Sequence, residues 1–162
     1  MFKFLNNNLI AVFFSFSTLI LLSAYFIEHV LGYEACNLCL IGRIPYFFVI
    51  TFCLIFFFFK KFEKILLILI FISFISSTLI AFYHFGIEQG FFDESLVCQI
   101  KTLKQNMSTV ELLQELENNK PKSCKNVNFK IFGLSLATIN LFISLILSAT
   151  TLIYIFKYET NK

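Results

Sequence analysis

Four long apolar runs dominate the pattern of residues along this chain. Each run lacks Asp, Glu, Lys and Arg, and together they occupy Phe4–Ile27, Ile44–Phe59, Ile65–Ile87 and Ile131–Phe156. A helix needs about 20 residues, within a range of roughly 17–25, to cross the hydrocarbon core of a bilayer. The second run reaches that length when it starts at Leu40, because the Arg43 side chain can extend to the interface. The pattern therefore predicts four transmembrane helices, at about 4–27, 40–59, 65–87 and 131–156.

The composition agrees with a membrane protein and excludes a soluble globule. Hydrophobic residues make up 58% of the chain and charged residues 14%, and the mean hydropathy is +0.81. This leaves too little polar surface for a water-facing exterior. At 162 residues, the chain is expected to form one integral membrane domain over 1–162. The net charge of +3 comes without a basic patch interleaved with aromatic residues, so no nucleic-acid partner is expected.

The first apolar run follows Lys3, as the apolar part of a cleaved secretory signal would. It is longer than a typical signal segment, and Leu22-Ser23-Ala24 matches a cleavage site poorly. We therefore expect it to be retained as a membrane helix.

The loops between the spans predict the topology. An even number of spans places both termini on one side and the loops at about 28–43 and 88–130 on the other. The short hinge between the second and third spans carries Lys60, Lys61 and Lys64. Short loops rich in Lys and Arg stay in the cytoplasm. Both termini are therefore expected in the cytoplasm, with the two loops on the exported side.

The second exported loop contains a helix signal. Ser108-Thr109-Val110-Glu111 has the form of a capping box, and apolar residues follow at helical spacing as far as about Asn118. The expected short amphipathic helix either lies on the membrane surface or is solvated. The predicted fold class is thus an all-α membrane protein, a four-transmembrane-helix bundle with two periplasmic loops, of which the second is long and contains this helix.

Four of the five cysteines lie in the two exported loops. Cys36 and Cys39 are in the first loop and Cys98 and Cys124 in the second, whereas Cys53 lies among apolar residues of the second span and is given no role. Cysteines on an exported face imply disulfides in an oxidising space such as the bacterial periplasm. Of the three possible pairings, Cys36–Cys39 with Cys98–Cys124 is favoured, because the first closes a minimal ring and the second cross-links the long loop.

Two other interpretations of the cysteines are weaker. A purely structural role fits Cys98–Cys124, but a Cys36–Cys39 bond spans only two residues and constrains little chain entropy. A zinc site is disfavoured because the second pair is not a Cys-x-x-Cys knuckle and an oxidising space works against thiolate ligands. We therefore expect no metal.

Three residues near the first pair suggest what it reacts with. Pro45 suits the first turn of a helix, so Cys39 is expected near a helix N-terminus, where the helix dipole favours a thiolate. Arg43 is either an interfacial anchor or a cation that stabilises the thiolate and polarises a carbonyl ligand at the lipid edge. A membrane-soluble quinone fits the second role. His84 is either an interfacial polar residue or a hydrogen-bond partner of a quinone oxygen.

These motifs resemble the bacterial disulfide bond formation protein B (DsbB) family, quinone-linked membrane thiol oxidoreductases. Cys36-Asn37-Leu38-Cys39 followed by Arg43 matches the family pattern Cys-x-x-Cys-x-x-x-Arg. Tyr83-His84-Phe85-Gly86-Ile87-Glu88 is similar to its Tyr-His-x-Gly-x-Glu segment. Cys124 followed by the segment 132–137 and Asn140 looks like its entry into the last span.

The resemblance implies a relay of electrons at the bacterial inner membrane. A reduced DsbA-like, thioredoxin-fold carrier in the periplasm would attack Cys98, and Cys124 would release the oxidised carrier. Cys36–Cys39 would reoxidise the second pair through a transient Cys36–Cys124 bond. Cys39 would then pass two electrons to ubiquinone or menaquinone beside Arg43, with His84 as a further quinone-contacting residue.

The sequence is also compatible with two alternatives. The chain could be a DsbI-like paralogue that serves a dedicated partner. It could also be a non-catalytic membrane scaffold whose disulfides only brace its loops. Catalytic disulfides should exchange rapidly, whereas structural ones should resist mild reductants.

Overall fold

The structure is a computed structural model, and it describes residues 2–33, 35–59, 62–93, 98, 124, 130–131 and 133–160. The helices are α1 (Phe2–His29), α2 (Asn37–Ile41), α3 (Ile44–Phe58), α4 (Glu63–Glu88) and α5 (Leu136–Thr160). Two short strands, β1 (Lys130–Ile131) and β2 (Leu134–Ser135), pair antiparallel before α5. The expected helix near 108–118 and the lysines at 60 and 61 lie outside the described residues.

Four segments are long and apolar enough to cross a membrane, which confirms the predicted four-helix membrane fold. They are Asn7–His29, Asn37–Phe58, Glu63–Glu88 and Leu136–Tyr158. Many of their large apolar side chains point outward: Leu19, Phe58 and Ile153 are each at least 66% exposed. Such an apolar exterior would be a liability in water and is the normal surface of a helix bundle in lipid.

The centre of the bundle is close-packed. Helix α4 packs against both α3 and α5, and α3 also packs against α1. The largest fully buried side chains of this core are aromatic or aliphatic and include Phe13, Tyr46, Phe56, Phe74 and Ile70. Small hydroxyl residues are buried between the helices as well, namely Ser17, Ser77, Ser144 and Thr151. Small side chains at helix interfaces allow backbones to approach closely where no water is available to drive association.

The second span is interrupted near its start. Helix α2 ends at Ile41, Gly42 and Arg43 form a turn, and α3 begins at Ile44 with Pro45 in its first turn. Proline has no N–H and cannot continue the hydrogen bonds of a preceding helix, so it favours a new start at this point. The predicted span of 40–59 is therefore built from the short helix α2 followed by the longer helix α3.

The last helix begins later than the apolar run that predicted it. The run starts at Ile131, but Gly133 has a φ of 83° in the turn between β1 and β2, and α5 starts at Leu136. The Ser135 hydroxyl oxygen accepts a hydrogen bond from the Thr138 N–H at 3.1 Å, which caps the new helix. A positive φ is natural for glycine, so the chain can reverse here before it enters the bundle.

Candidate redox site

The first cysteine pair is built on the start of α2. Cys36 is the residue before the helix, with extended backbone angles, and its Sγ accepts a hydrogen bond from the Cys39 N–H at 3.3 Å. One helical turn brings the two sulfurs to 2.9 Å from each other. Both residues are half-buried thiols. The spacing of the motif thus places two sulfurs within the distance from which a disulfide can form.

The thiolate position differs from the sequence-based expectation. We predicted that Cys39 would lie at the helix N-terminus, but α2 starts at Asn37 and so Cys36 caps it. The hydrogen bond that Cys36 shares with the Cys39 thiol lowers the pKa of Cys36 well below its usual value, burial opposes this shift, and the nearby His84 ring reinforces it. Cys36 is therefore the sulfur favoured as the thiolate, because it shares a hydrogen bond with the Cys39 thiol and accepts the capping hydrogen bond from the Cys39 N–H.

His84 lies directly on the cysteine pair. Its ring is buried on α4, with Nε2 at 3.7 Å from the Cys36 Sγ and Nδ1 at 4.0 Å from the Cys39 Sγ. Nε2 also lies 3.6 Å from the Glu88 Oε1, one turn further along the same helix. The sequence identified His84 without showing which way it faces; the structure turns it towards the sulfurs.

Arg43 is held against the first helix. Its Nη1 lies 2.5 Å from the Glu28 Oε2, and the side chains of Arg43 and Glu28 are 11% and 25% exposed. The guanidinium carbon lies 5.0 Å from the centre of the Tyr25 ring, within the range of a cation–π contact. The sequence pointed to Arg43 but not to Glu28 or Tyr25. Glu28 could have been identified as a partner for a cation because it is an acid at the end of an apolar run.

The second pair is joined and buried nearby. Cys98 and Cys124 form a disulfide with a Cα–Cα distance of 5.8 Å, the pairing that the sequence favoured, and each is only 3% exposed. This bond packs in a small cluster with Leu38 and Ile87, and Cys36 lies against the same cluster. Cys98 and Cys124 are 26 residues apart in sequence, and Cys36 and Cys39 are 3 residues apart. The two cysteine pairs are nevertheless neighbours in space.

A cavity of about 240 Å³ connects these residues. Its walls are mainly apolar side chains of α1, α4 and α5, and its chemically active lining is Cys36, Cys39, Arg43, His84 and Cys124. Five of the six predicted site residues thus line one cavity. The sixth, Cys98, is bonded to Cys124, which lines it. Cys53 instead lies in the bundle core with Phe56 and Leu66.

Among the described residues, Cys36, Cys39 and His84 also have ligand atoms within 4.8 Å of one another. Thiolates and an imidazole are zinc ligands, but two sulfurs on a tetrahedral zinc with bonds of about 2.3 Å lie about 3.8 Å apart. The sulfurs here are 2.9 Å apart. Their spacing suits a bond between them better than a shared metal.

The fold and this site together define a multi-pass membrane protein with thiol–disulfide chemistry. The family model described as "Disulfide bond formation protein DsbB" matches residues 6–154. A curated relative, "Uncharacterized protein RP370" from Rickettsia prowazekii (strain Madrid E), is 30% identical over 162 residues, which cover 99% of this chain and 92% of the relative.

The chain belongs to the DsbB family. It is accordingly a membrane oxidoreductase of disulfide-bond formation, a class that works with a disulfide carrier and that uses quinone in general.

Proposed function

We propose that this protein reoxidises a DsbA-like thiol carrier in the periplasm and passes the electrons to membrane quinone. The observation that carries the proposal is the packing of the buried Cys98–Cys124 bond beside the Cys36 and Cys39 thiols at one cavity. Disulfide exchange requires that a thiolate can reach the sulfur of a second disulfide. The position of both pairs at a common cavity supports such an exchange.

The relay starts with both pairs closed. A carrier thiolate attacks Cys98 and breaks its bond to Cys124, and the freed Cys124 thiolate attacks Cys36, which releases Cys39. The second carrier thiol then displaces Cys98, and the oxidised carrier leaves. Cys98 in turn displaces Cys36 from Cys124 and restores the Cys98–Cys124 bond. Two electrons have moved from the carrier to Cys36 and Cys39, together with one proton, while the proton of the attacking carrier thiol has gone to solvent.

The cavity fits the head group of a quinone. Such a group is a flat, largely apolar ring with two carbonyl acceptors, and the cavity combines apolar walls with the Arg43 guanidinium and the Cys36–Cys39 pair. Bound quinone would accept two electrons and two protons and thereby allow the pair to close again. Arg43 is the residue proposed to donate to a carbonyl oxygen, and His84 is a second candidate for contact with the ring. A carrier of the DsbA type is already a strong oxidant, at roughly −120 mV, so the relay needs an acceptor of higher potential.

We place the protein in the bacterial inner membrane as one integral domain. Both termini would be cytoplasmic and both cysteine-bearing loops periplasmic. The lysine-rich hinge between α3 and α4 supports this orientation through the positive-inside preference. The oxidising chemistry of the cysteine pairs supports it independently, because disulfides persist on the exported side.

The test is quinone reduction by purified protein in detergent, with a reduced DsbA-like carrier as donor. We expect Cys39→Ser to abolish turnover and Cys53→Ser to retain it. Arg43→Ala should raise the quinone KM about 10-fold or more, since a hydrogen bond to a charged group contributes about 1.5–3 kcal/mol. The KM for the carrier should not change.

Failure of the folded wild type to oxidise any carrier with either ubiquinone or menaquinone would support the scaffold alternative. Oxidation of only one dedicated donor would point instead to a DsbI-like paralogue.

A further inference from the structure

The imidazole of His84 lies between a thiol and a buried carboxylate. Nδ1 is 4.0 Å from the Cys39 Sγ, and Nε2 is 3.6 Å from the Glu88 Oε1. We propose that Cys39, His84 and Glu88 form a proton-transfer triad in which His84 accepts the Cys39 proton and Glu88 orients the imidazole. This assignment rests on the proposed function of the site, and it adds Glu88 as a positioning residue.

The carboxylate determines which nitrogen of His84 can act as a base. A neutral imidazole has one N–H and one lone pair, and a carboxylate can only accept a hydrogen bond from the N–H. Glu88 therefore favours the form with the proton on Nε2. That form leaves the lone pair of Nδ1 directed towards the Cys39 thiol. A nucleophile, a base and a group that orients the base are the three parts of an activated cysteine.

The helix fixes these parts in register. His84 and Glu88 are four residues apart on α4, so they lie on one face of the helix one turn apart. Their side chains are only 9% and 6% exposed. Water therefore competes weakly for the proton, and the ring has little freedom to turn away from Cys39.

Other groups face the same ring. Cys36 approaches Nε2 at 3.7 Å, so a Cys36 thiolate accepts from the same N–H as Glu88 and adds negative charge beside it. The further titratable or charged side chains that line the cavity are Glu28, Tyr33, Arg43 and Tyr46. Arg43 and Glu28 are paired with each other, so their charges largely cancel at the ring.

The proton balance of the closing step fits one base. Closing the pair from a Cys36 thiolate and a Cys39 thiol forms one S–S bond and releases two electrons and one proton. The electrons go to the quinone of the proposed function. The proton passes from the Cys39 Sγ to the His84 Nδ1 and from there to the reduced acceptor, whose second proton comes from solvent.

The test measures the thiol itself and needs neither quinone nor carrier. In a Cys36→Ser, Cys53→Ser background, Cys39 is the remaining free thiol while Cys98–Cys124 stays bonded. The rate of Cys39 alkylation by iodoacetamide is measured by mass spectrometry at pH 7 and pH 10. Added variants are His84→Gln, Glu88→Gln, Glu88→Asp and, as a matched control at the other end of α4, Glu63→Gln.

At pH 7 we expect His84→Gln to slow alkylation about 10-fold or more and Glu88→Gln about 3- to 10-fold, whereas Glu88→Asp recovers most of the rate. Glu63→Gln should behave like the background. At pH 10 hydroxide competes with His84 as the base, so the variants should react at more similar rates than at pH 7.

An unchanged rate for Glu88→Gln at pH 7 would overturn the triad. So would an equal slowing at pH 7 and pH 10, because that pattern reports access to Cys39 rather than its ionisation. Size-exclusion chromatography in detergent checks that each variant is folded. If Glu88→Gln is not folded, His84→Gln is compared with the background instead, and an unchanged alkylation rate at pH 7 would again overturn the triad. The result is independent of turnover, so loss of quinone activity in the wild type would refute the proposed function and leave this test valid.

Discussion

Replacing Glu28 by Gln removes the negative half of the pair with Arg43 and keeps the size of the side chain. The Nη1–Oε2 distance of 2.5 Å and exposures of 11% and 25% place this pair between the surface and the interior. Exposed pairs contribute about 0–1 kcal/mol, whereas loss of one partner of a fully buried pair costs about 3–5 kcal/mol. Arg43 also keeps its cation–π contact with Tyr25 in the variant. We therefore expect Glu28→Gln to lower the free energy of unfolding by about 1–2 kcal/mol.

A double-mutant cycle isolates the interaction from other effects of the changes. Glu28→Gln, Arg43→Gln and the double variant are compared with wild type by thermal unfolding in detergent. For a chain of this size, about 1 kcal/mol corresponds to a Tm change of roughly 2–4 °C. The two single changes should be non-additive by about 1–2 kcal/mol. Glu63→Gln serves as a control, because the Tyr158 hydroxyl donates to the Glu63 Oε2 over a long distance of 3.5 Å, and the change should alter the stability by less than about 0.5 kcal/mol.

Additivity within about 0.3 kcal/mol would refute the reasoning. It would mean that the two charges are solvated as well apart as together, and that Arg43 takes its position from the backbone alone. A coupling well above 3 kcal/mol would also contradict it, because that value belongs to a pair that water does not reach.

Three further predictions follow from single contacts. A Cβ at Gly86 would collide with the ring of Phe92, so Gly86→Ala should lower the free energy of unfolding by about 1–3 kcal/mol in a thermal unfolding assay; an unchanged Tm would show that the ring moves aside freely. Tyr46→Phe should cost about 1–2 kcal/mol by the same assay, because the buried Tyr46 hydroxyl donates to the Asn140 Oδ1 at 2.5 Å, and no loss would mean that Asn140 finds another donor. The pKa of the Cys36 thiol is lowered in the folded state. At pH values between this pKa and the unfolded value of about 8.5, the thiol holds its proton only in the unfolded chain. The free energy of unfolding therefore rises with pH in this range. The Tm advantage of the reduced protein over Cys36→Ser should therefore grow from pH 5 to about pH 9, and a constant difference would contradict the lowered pKa.

Most of the fold could be predicted from sequence because the membrane imposes a simple rule on each helix separately. A charge-free run of sufficient length has few alternatives to a membrane helix, and all four such runs contain one. The ends were harder to predict. The start of α5 depends on the turn at Gly133 and the cap at Ser135, whose effects are local and do not change hydropathy.

The site divides in the same way. The closeness of Cys36 and Cys39 could be predicted from sequence because only two residues separate them, and in the structure the two are free thiols with sulfurs 2.9 Å apart. The contacts of Arg43 with Glu28 and of His84 with both sulfurs join separate elements, so they depend on how those elements pack. A single sequence does not show which residue at the end of α1 lies opposite Arg43. The sequence favoured Cys39 as the thiolate because it placed the start of the helix near Leu40. The helix starts three residues earlier, at Asn37, so Cys36 caps it instead.

The interruption between α2 and α3 has a mechanical consequence. The Arg43 N–H bonds to the Leu40 carbonyl at 3.1 Å, and the Tyr46 N–H bonds back to the Arg43 carbonyl at 3.1 Å, while Pro45 has no N–H to offer. The five-residue helix α2, which carries Cys39 and is capped by Cys36, is therefore joined to α3 by few backbone hydrogen bonds. A small rotation at this joint displaces Cys36 without stretching the hydrogen bonds inside α3. The segment that holds Cys36 and Cys39 and the helix α3 that packs in the bundle are in this way mechanically separate.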